Sequence, residues 1–280
     1  MGRGVNAAKP AFWHEAIANM RVDVSVAAYT KVSPSWRDTD YTPDFNKLYF
    51  ILEGTGYLKI GDAEYEPAPG QLFWMPQGVR QSYGTAEGEP FGKHWCHFTA
   101  YVGDEPLPRV LDVPDFVDVP EAERPRLAAS FERLAYWRGR TELSAAMRVR
   151  SELLSILAAY LELGGGMKVR TARSGAMAKM DLVLRFIDEH LTEPLSVEEL
   201  AALAHYHPNY FIRSFKRTTG FSPIQYINRQ RVERAKRLFA TTELNVSEVA
   251  DRFGMEISYF SRLFKETTGF TPSQYREWMT

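Results

Sequence analysis

Residues 195–226 recur 49 positions later as residues 244–275, with 16 of the 32 paired positions identical. A repeat at one fixed offset means a single supersecondary unit built twice, so whatever surface the unit offers a partner is offered at two places. The strongest block reads Tyr210-Phe211-x-Arg213-x-Phe215-Lys216-x-Thr218-Thr219-Gly220-Phe221-Ser222-Pro223, echoed by Tyr259-Phe260-x-Arg262-x-Phe264-Lys265-x-Thr267-Thr268-Gly269-Phe270-Thr271-Pro272. The punctuation predicts the same order of helices in both copies. Ser196 with Glu199, and Asn245 with Glu248, are N-cap pairs able to satisfy orphan helix amides reciprocally. Gly220 and Gly269 suit the left-handed residue that closes a helix, while Ser222-Pro223 and Thr271-Pro272 place a cap and an N1 proline at the next start. The repeated unit reads as a helix-turn-helix.

In each second helix Phe211 and Phe215, or Phe260 and Phe264, stand four apart and share an inward face. The opposite side is polar. Asn209, Ile212, Arg213 and Lys216 fall at i, i+3, i+4 and i+7, as do Ser258, Ser261, Arg262 and Lys265, so each set forms one exposed stripe. Arg213 and Arg262 suit bidentate pairing to guanine, Asn209 suits adenine, and Ile212 suits a thymine methyl. Lys216 and Lys265 suit phosphate. A joining helix over residues 223–240 would be about 27 Å long, near the ~34 Å between major-groove faces one turn apart. Its cations Arg229, Arg231, Arg234, Lys236 and Arg237 are expected in part over the intervening backbone.

The charge distribution agrees. Residues 1–166 hold 17 Lys+Arg against 22 Asp+Glu, a net −5, whereas residues 167–280 hold 17 against 13, a net +4. A basic excess on the repeat-bearing part is what a phosphate-facing surface needs, although a solvated face carries one equally well. The competing reading is a pair of stacked helical hairpins of the kind found in protein-binding solenoids.

The C-terminal hundred positions resemble the DNA-binding domain of the AraC/XylS family of bacterial transcription regulators. The resemblance rests on Ala250, Gly254, Phe260, Arg262, Phe264, Lys265, Gly269, Phe270, Pro272 and Tyr275 together, preceded by the basic stretch 231–238. It implies an α-helical domain over residues 176–280 with two helix-turn-helix units entering successive major grooves of double-stranded DNA. It also implies regulation of nearby promoters, usually activation, with RNA polymerase as a partner. One position departs from the pattern: the turn that has Gly254 in the second copy has His205 in the first. A glycine there implies positive φ, which histidine tolerates less freely, so a strained or differently shaped first turn is expected.

The rest of the chain is of another kind. Runs 25–32, 47–52, 57–60, 71–75 and 91–102 are aromatic or β-branched and are separated by Gly, Pro and Asp turns, which predicts short strands of a barrel or sandwich. From residue 121 the period becomes helical, with Leu127, Phe131 and Leu134 on one stripe and Leu143, Met147, Leu153, Leu154, Leu157, Tyr160 and Leu161 on another. Such a face can pack on its own barrel or on a second subunit. The expectation is a helical dimerisation element over 121–163 and a homodimer. Residues 164–175, opening with three glycines, read as a flexible linker. The expected whole is an α+β chain of two domains. Cys96 is the only cysteine, so no intrachain disulfide can form; residues 1–18 lack a continuous apolar h-region; and the apolar run 153–163 is too short to span a bilayer. A cytoplasmic protein is expected.

The segment 49–83, with Leu52-Glu53-Gly54-x-Gly56 and Pro69-Gly70-x-Leu72-x-x-Met75-Pro76, is similar to the cupin-like effector-binding domain of sugar-responsive AraC-type regulators. The resemblance implies, over residues 1–120, a β-barrel holding one small-molecule effector, a saccharide or a derivative of one. In such sensors an aromatic stacks on the sugar, and Tyr83 and Trp95 sit at matching positions; Gln81 stands where family members often have histidine. Strand alternation puts Lys93, Trp95 and His97 on one face and His94, Cys96 and Phe98 on the other. The expected ligand-binding residues are Tyr83, Trp95, His97 and Arg80. An enzymatic cupin would need two or three histidines and a carboxylate on one metal, whereas His94 and His97 point to opposite faces. No enzyme activity, metal or cofactor is expected.

Overall fold

The computed structural model describes residues 10–86, 89–165, 168–169 and 175–279. Contacts group the described residues into two compact units, one of residues 21–101 and 105–165 with 168–169, the other of residues 10–20, 102–104 and 175–279.

The first unit is built from strands β1 (Arg21–Lys31), β2 (Arg37–Tyr41), β3 (Asn46–Glu53), β4 (Gly56–Ile60), β5 (Ala63–Tyr65), β6 (Gln71–Met75), β7 (Gln81–Thr85), β8 (Gly92–Val102), β9 (Glu105–Pro106), β10 (Leu111–Asp112) and β11 (Phe116–Asp118). The hydrogen-bonded order is β1-β8-β3-β6-β11 in one antiparallel sheet, with β9 also on β8, and β2-β7-β4-β5 in a second. The expected barrel thus takes the form of two sheets around a shared interior. Tyr49, Ile51, Phe73 and Met75 from the first sheet meet Leu58 and Ile60 from the second in one apolar cluster.

Alternation sends the other side of the first sheet, with Leu48, Phe50, Leu72, Trp74, Cys96 and Phe98, toward helices α3 (Arg124–Arg138) and α4 (Leu143–Leu163), where all six are fully buried. Phe50 stacks on Phe131 at 6.4 Å, and Trp74 meets Tyr160 edge-on at 5.5 Å. A short helix α2 (Leu107–Val110) precedes β10.

Two boundaries move relative to the sequence reading. Leu127, Phe131, Leu134, Leu153, Leu157 and Tyr160 are buried against the chain's own first sheet, while Leu143 and Met147 of the same stripe lie open, 97% and 76% exposed. The apolar face is therefore largely consumed within the unit. The stretch read as linker contains strand β12 (Lys168–Val169), paired antiparallel with β10, while residues 166–167 and 170–174 of it lie outside the described residues.

The second unit is helical. Its N-terminal helix α1 (Pro10–Ala18) was expected with the barrel but packs on the helices, because Trp13, Ala16 and Met20 are buried there and Asn19 Nδ2 donates to the Thr219 carbonyl at 3.0 Å. Half of the stretch 1–18, read as lacking an apolar leader, lies outside the described residues. Then come α5 (Gly175–Glu189), α6 (Val197–Leu203), α7 (Pro208–Thr219), α8 (Pro223–Thr241), α9 (Val246–Arg252), α10 (Ile257–Thr268) and α11 (Pro272–Met279). Among the described residues no helix is long and apolar enough to cross a membrane.

The duplication is exact in packing terms only where side chains are inward. Phe211 and Phe215 lie 5.4 Å apart and Phe215 meets Tyr226 at 5.5 Å; Phe260 and Phe264 lie 5.8 Å apart and Phe264 meets Tyr275 at 5.4 Å. All four phenylalanines are fully buried, each contributing roughly 1.5–3 kcal/mol. The caps form as well. Asn245 and Glu248 exchange bonds of 3.0 and 2.7 Å, and Ser222 with Gln225, and Thr271 with Gln274, do the same at later starts. At Ser196 only the side-chain acceptor half is made, at 3.1 Å from the Glu199 amide. Gly220 and Gly269 close α7 and α10 at φ +82° and +83°.

Candidate functional site

Each helix-turn-helix depends on its turn to aim the second helix. The first turn runs through His205 at φ +54° and the second through Gly254 at φ +61°. The flanking hydrogen bonds match: Tyr206 N–H to Ala201 O at 2.9 Å, and Met255 N–H to Ala250 O at 3.1 Å. The expected difference in shape is therefore absent. Histidine adopts the left-handed conformation the glycine was chosen for, and only its torsional cost remains.

With that aim fixed, α7 exposes Asn209, Arg213 and Lys216 with Ile212 half-buried beside them, and α10 exposes Ser258, Arg262 and Lys265 with Ser261 half-buried. Arg213 Nε donates back to the Asn209 carbonyl at 3.2 Å, which holds its guanidinium along the stripe. Arg262 lies 5.6 Å from the centre of the Tyr259 ring, whose hydroxyl accepts from Asn228 Nδ2 at 3.1 Å. This ties α10 to α8. Arg262, Tyr259, Asn228 and Arg229 border an open groove of about 600 Å3.

The cations of α8 divide by role. Arg231 is not a surface cation: its Nε and Nη2 donate to the carbonyls of Leu191 and Glu193 at 2.8 and 2.7 Å, closing the segment after α5. Lys236 pairs with Glu233 at 3.0 Å, and Arg229 sits over the Phe221 ring at 4.9 Å. Arg234 and Arg237 remain exposed. A row of charges along a helix says nothing of which side chain folds back, so the sequence did not separate these.

The β unit contains the second candidate site. Trp95 and His97 point into the interior between the sheets, with Lys93 two residues before, as alternation predicts. Whereas Cys96, Phe98 and Ala100 on the helix side are fully buried, Trp95, His97 and Tyr83 are only half-buried. The interior is thus lined by rings that solvent reaches. Trp95 Nε1 donates to Thr30 Oγ1 at 3.0 Å, and Trp95 lies 4.8 Å from the His97 ring, which stacks on Phe45 at 4.6 Å. Tyr83 stacks on Trp36 at 4.4 Å and donates its hydroxyl to Asp38 at 3.3 Å. Burial, then Asp38, pushes the Tyr83 phenol up to about 12. Burial, then Lys47 and Lys93, pushes His97 down to about 4, so its ring is neutral near pH 7.

Arg80 is elsewhere. It lies between β6 and β7 with its side chain more than half exposed, 3.8 Å from Asp40 and 3.7 Å from Asp62, so the structure does not bring it to Tyr83, Trp95 and His97. His94 takes the opposite face from His97, stacked at 5.9 Å on Phe131. Sequence reasoning passed over Lys47 and, though it put Lys93 on the face of Trp95, gave it no role; the two are 1% and 3% exposed. Lys47 Nζ lies 4.6 Å from the centre of the Tyr83 ring, and Lys93 Nζ lies 3.7 and 3.5 Å from those of Trp36 and Tyr49. The available signal was parity, since a lysine at an inward strand position, sharing a face with tryptophan, is costly unless it has work there.

Residues 28–157 match the AraC-like ligand binding domain, and residues 200–277 match a helix-turn-helix domain. The chain is 30% identical over 214 residues to the HTH-type transcriptional regulator YijO of Escherichia coli, covering 74% of this chain and 72% of that one. It is 30% identical over 212 residues to the MmsAB operon regulatory protein of Pseudomonas aeruginosa, covering 71% of this chain and 64% of the relative's length. The DNA-binding domain of AdpA, solved in complex with a target DNA, is 36% identical across 35% of this chain and 90% of that one, with a TM-score of 0.34. Two sheets over a ring-lined interior, a twice-built helix-turn-helix, the matches of residues 28–157 and 200–277 to the ligand-binding and helix-turn-helix domains, and 30% identity across 72% of a helix-turn-helix transcriptional regulator place this chain in the AraC/XylS family of transcription regulators.

Proposed function

We propose that the chain is a sequence-specific, non-enzymatic transcription activator of the cytoplasm whose tandem helices read double-stranded DNA under control of a small effector held in the β unit. Arg213 and Arg262 read guanine edges, Asn209, Ile212, Ser258 and Ser261 complete the base contacts, and Lys216 and Lys265 hold phosphates. The observation that carries this reading is that two stripes of matching chemistry are exposed by helices aimed through turns of the same conformation. The joining helix of 19 residues, about 28 Å, suits heads set one turn apart on the duplex.

The effector is a saccharide or a saccharide derivative that stacks on Trp95 and Tyr83 with His97 beside it, in keeping with half-buried rings facing the interior. Exposed Leu143 and Met147 at the start of α4 support homodimerisation, with the dimer engaging RNA polymerase at the promoter. Ligand control requires differential affinity: the effector shifts DNA binding only as far as it prefers one arrangement of the chain.

The test is Arg262→Ala in binding-site selection on randomised duplexes. Preference should relax at one base position, at a cost of about 1–3 kcal/mol there. An equal loss on every sequence would remove Arg262 from base reading, and salt-independent binding would favour a protein-binding hairpin array instead.

A further inference from the structure

Two side-chain atoms in the interior of the β unit are buried without a hydrogen-bond partner: Lys47 Nζ and Gln81 Oε1. The Gln81 amide is oriented by its Nε2, which donates to the Pro76 carbonyl at 2.8 Å, so the free atom is the acceptor. Gln81 and Tyr83 share a face of β7, and Tyr41, opposite Gln81 in the ladder, has its ring 5.0 Å from Lys47 Nζ. Donor and acceptor therefore belong to one neighbourhood.

The field there is positive. Lys47 is lowered to about 8, chiefly by burial and partly offset by Asp38, so its ammonium persists at neutral pH. Lys93 is lowered well below its ordinary value by burial and then by Lys47. Among the described residues, Asp38 is the carboxylate that acts on Lys47, and it is engaged by the Tyr83 hydroxyl. Rings at 4.6–5.9 Å from Lys47 Nζ offer cation–π attraction, which offsets part of the desolvation but supplies no acceptor to the three N–H groups. A neutral sugar could offer that donor a hydroxyl oxygen but would leave the buried charge uncompensated.

We infer that the effector is a hydroxylated carboxylic acid, its carboxylate on Lys47 Nζ, a hydroxyl donating to Gln81 Oε1, and its carbon face against Trp95 and Tyr83. This rests on the reading of the β unit as the sensing site and narrows it from saccharides in general to acidic ones and their short hydroxy-acid relatives.

The experiment titrates the full chain with matched probes that differ in the acid group, D-gluconate against D-sorbitol, D-glucuronate against D-glucose, and lactate against propane-1,2-diol. Tryptophan emission reports binding, since Trp36 and Trp95 line the interior. In at least one pair the acid should bind roughly tenfold to a hundredfold tighter than its neutral partner, the range of a charge-assisted bond. That ratio should fall to near one in Lys47→Met. Lys47→Met removes a buried charge and keeps its length, so it should fold, as circular dichroism will check; Lys47→Gln serves if it does not. Neutral probes binding best, or an acid preference that survives loss of Lys47, overturns the acid assignment while leaving the site intact. Emission unmoved by every probe overturns the sensing site and this inference with it.

Discussion

The two turns invite a reciprocal substitution, His205→Gly in the first helix-turn-helix and Gly254→His in the second. They adopt φ +54° and +61° with matching flanking hydrogen bonds. His205 is exposed, so its side chain contributes little packing, and a Cβ added at Gly254 would meet nothing within 4 Å. What remains is torsional. Holding an L-residue in the left-handed region costs roughly 1–2 kcal/mol, from which glycine's greater freedom in the unfolded chain removes roughly 0.5–1 kcal/mol. The expected net is about 0.5–1 kcal/mol at each position, stabilising for His205→Gly and destabilising for Gly254→His. For a helical unit of this size that is a shift of roughly 2–8 °C. Scanning calorimetry of the full chain measures it, and amide exchange at Tyr206 and Met255, whose N–H groups close the turns, assigns it to the right place. Shifts of the same sign in both variants would refute the equivalence of the turns. A large loss at His205→Gly would mean the imidazole makes a contact that exposure does not suggest.

Other expectations concern charge. Arg231→Met should destabilise the helical unit by about 1–3 kcal/mol, because two carbonyls lose their donor, while leaving the salt dependence of DNA binding unchanged; Arg234→Ala should do the reverse, lowering the salt slope by about one. Titrations of binding constant against salt for both variants decide it. Lys47 titrates at about 8 when folded and near 10.5 when unfolded, so the unfolded chain holds more protons across that window and wild-type stability should rise with pH through it. The rise should approach about 3 kcal/mol and be missing from Lys47→Met; parallel denaturation curves from pH 7.5 to 10.5 would contradict the burial of that charge.

What was legible in the sequence was what local chemistry decides. Gly220, Gly269, Ser222, Asn245 and the phenylalanine pairs carry their conformation or their facing within a few residues, so helices and turns could be placed from them. Strand β2, Arg-Asp-Thr-Asp-Tyr, is polar throughout and gave no alternation to read, though it supplies Asp38 and Tyr41 to the interior. Alternation put Lys93 on the face of Trp95 and His97, but neither it nor Lys47 was given a role, because parity assigns a face and not what the face encloses. The partners of Arg231 and of the 121–163 stripe were not legible for a common reason: the carbonyls of Leu191 and Glu193, and the buried side of the first sheet, are distant in sequence from the groups that meet them.

Cys96 sits fully buried on the helix side of β8, where burial pushes its thiol up to about 12. Thiolate is the reactive form, so oxidants and alkylating reagents have nothing to attack while the sheet and its helices stay together. The chain thus carries a single silent thiol whose modification marks each occasion on which that layer has come apart, and a regulator so furnished offers no cysteine to its surroundings until it opens.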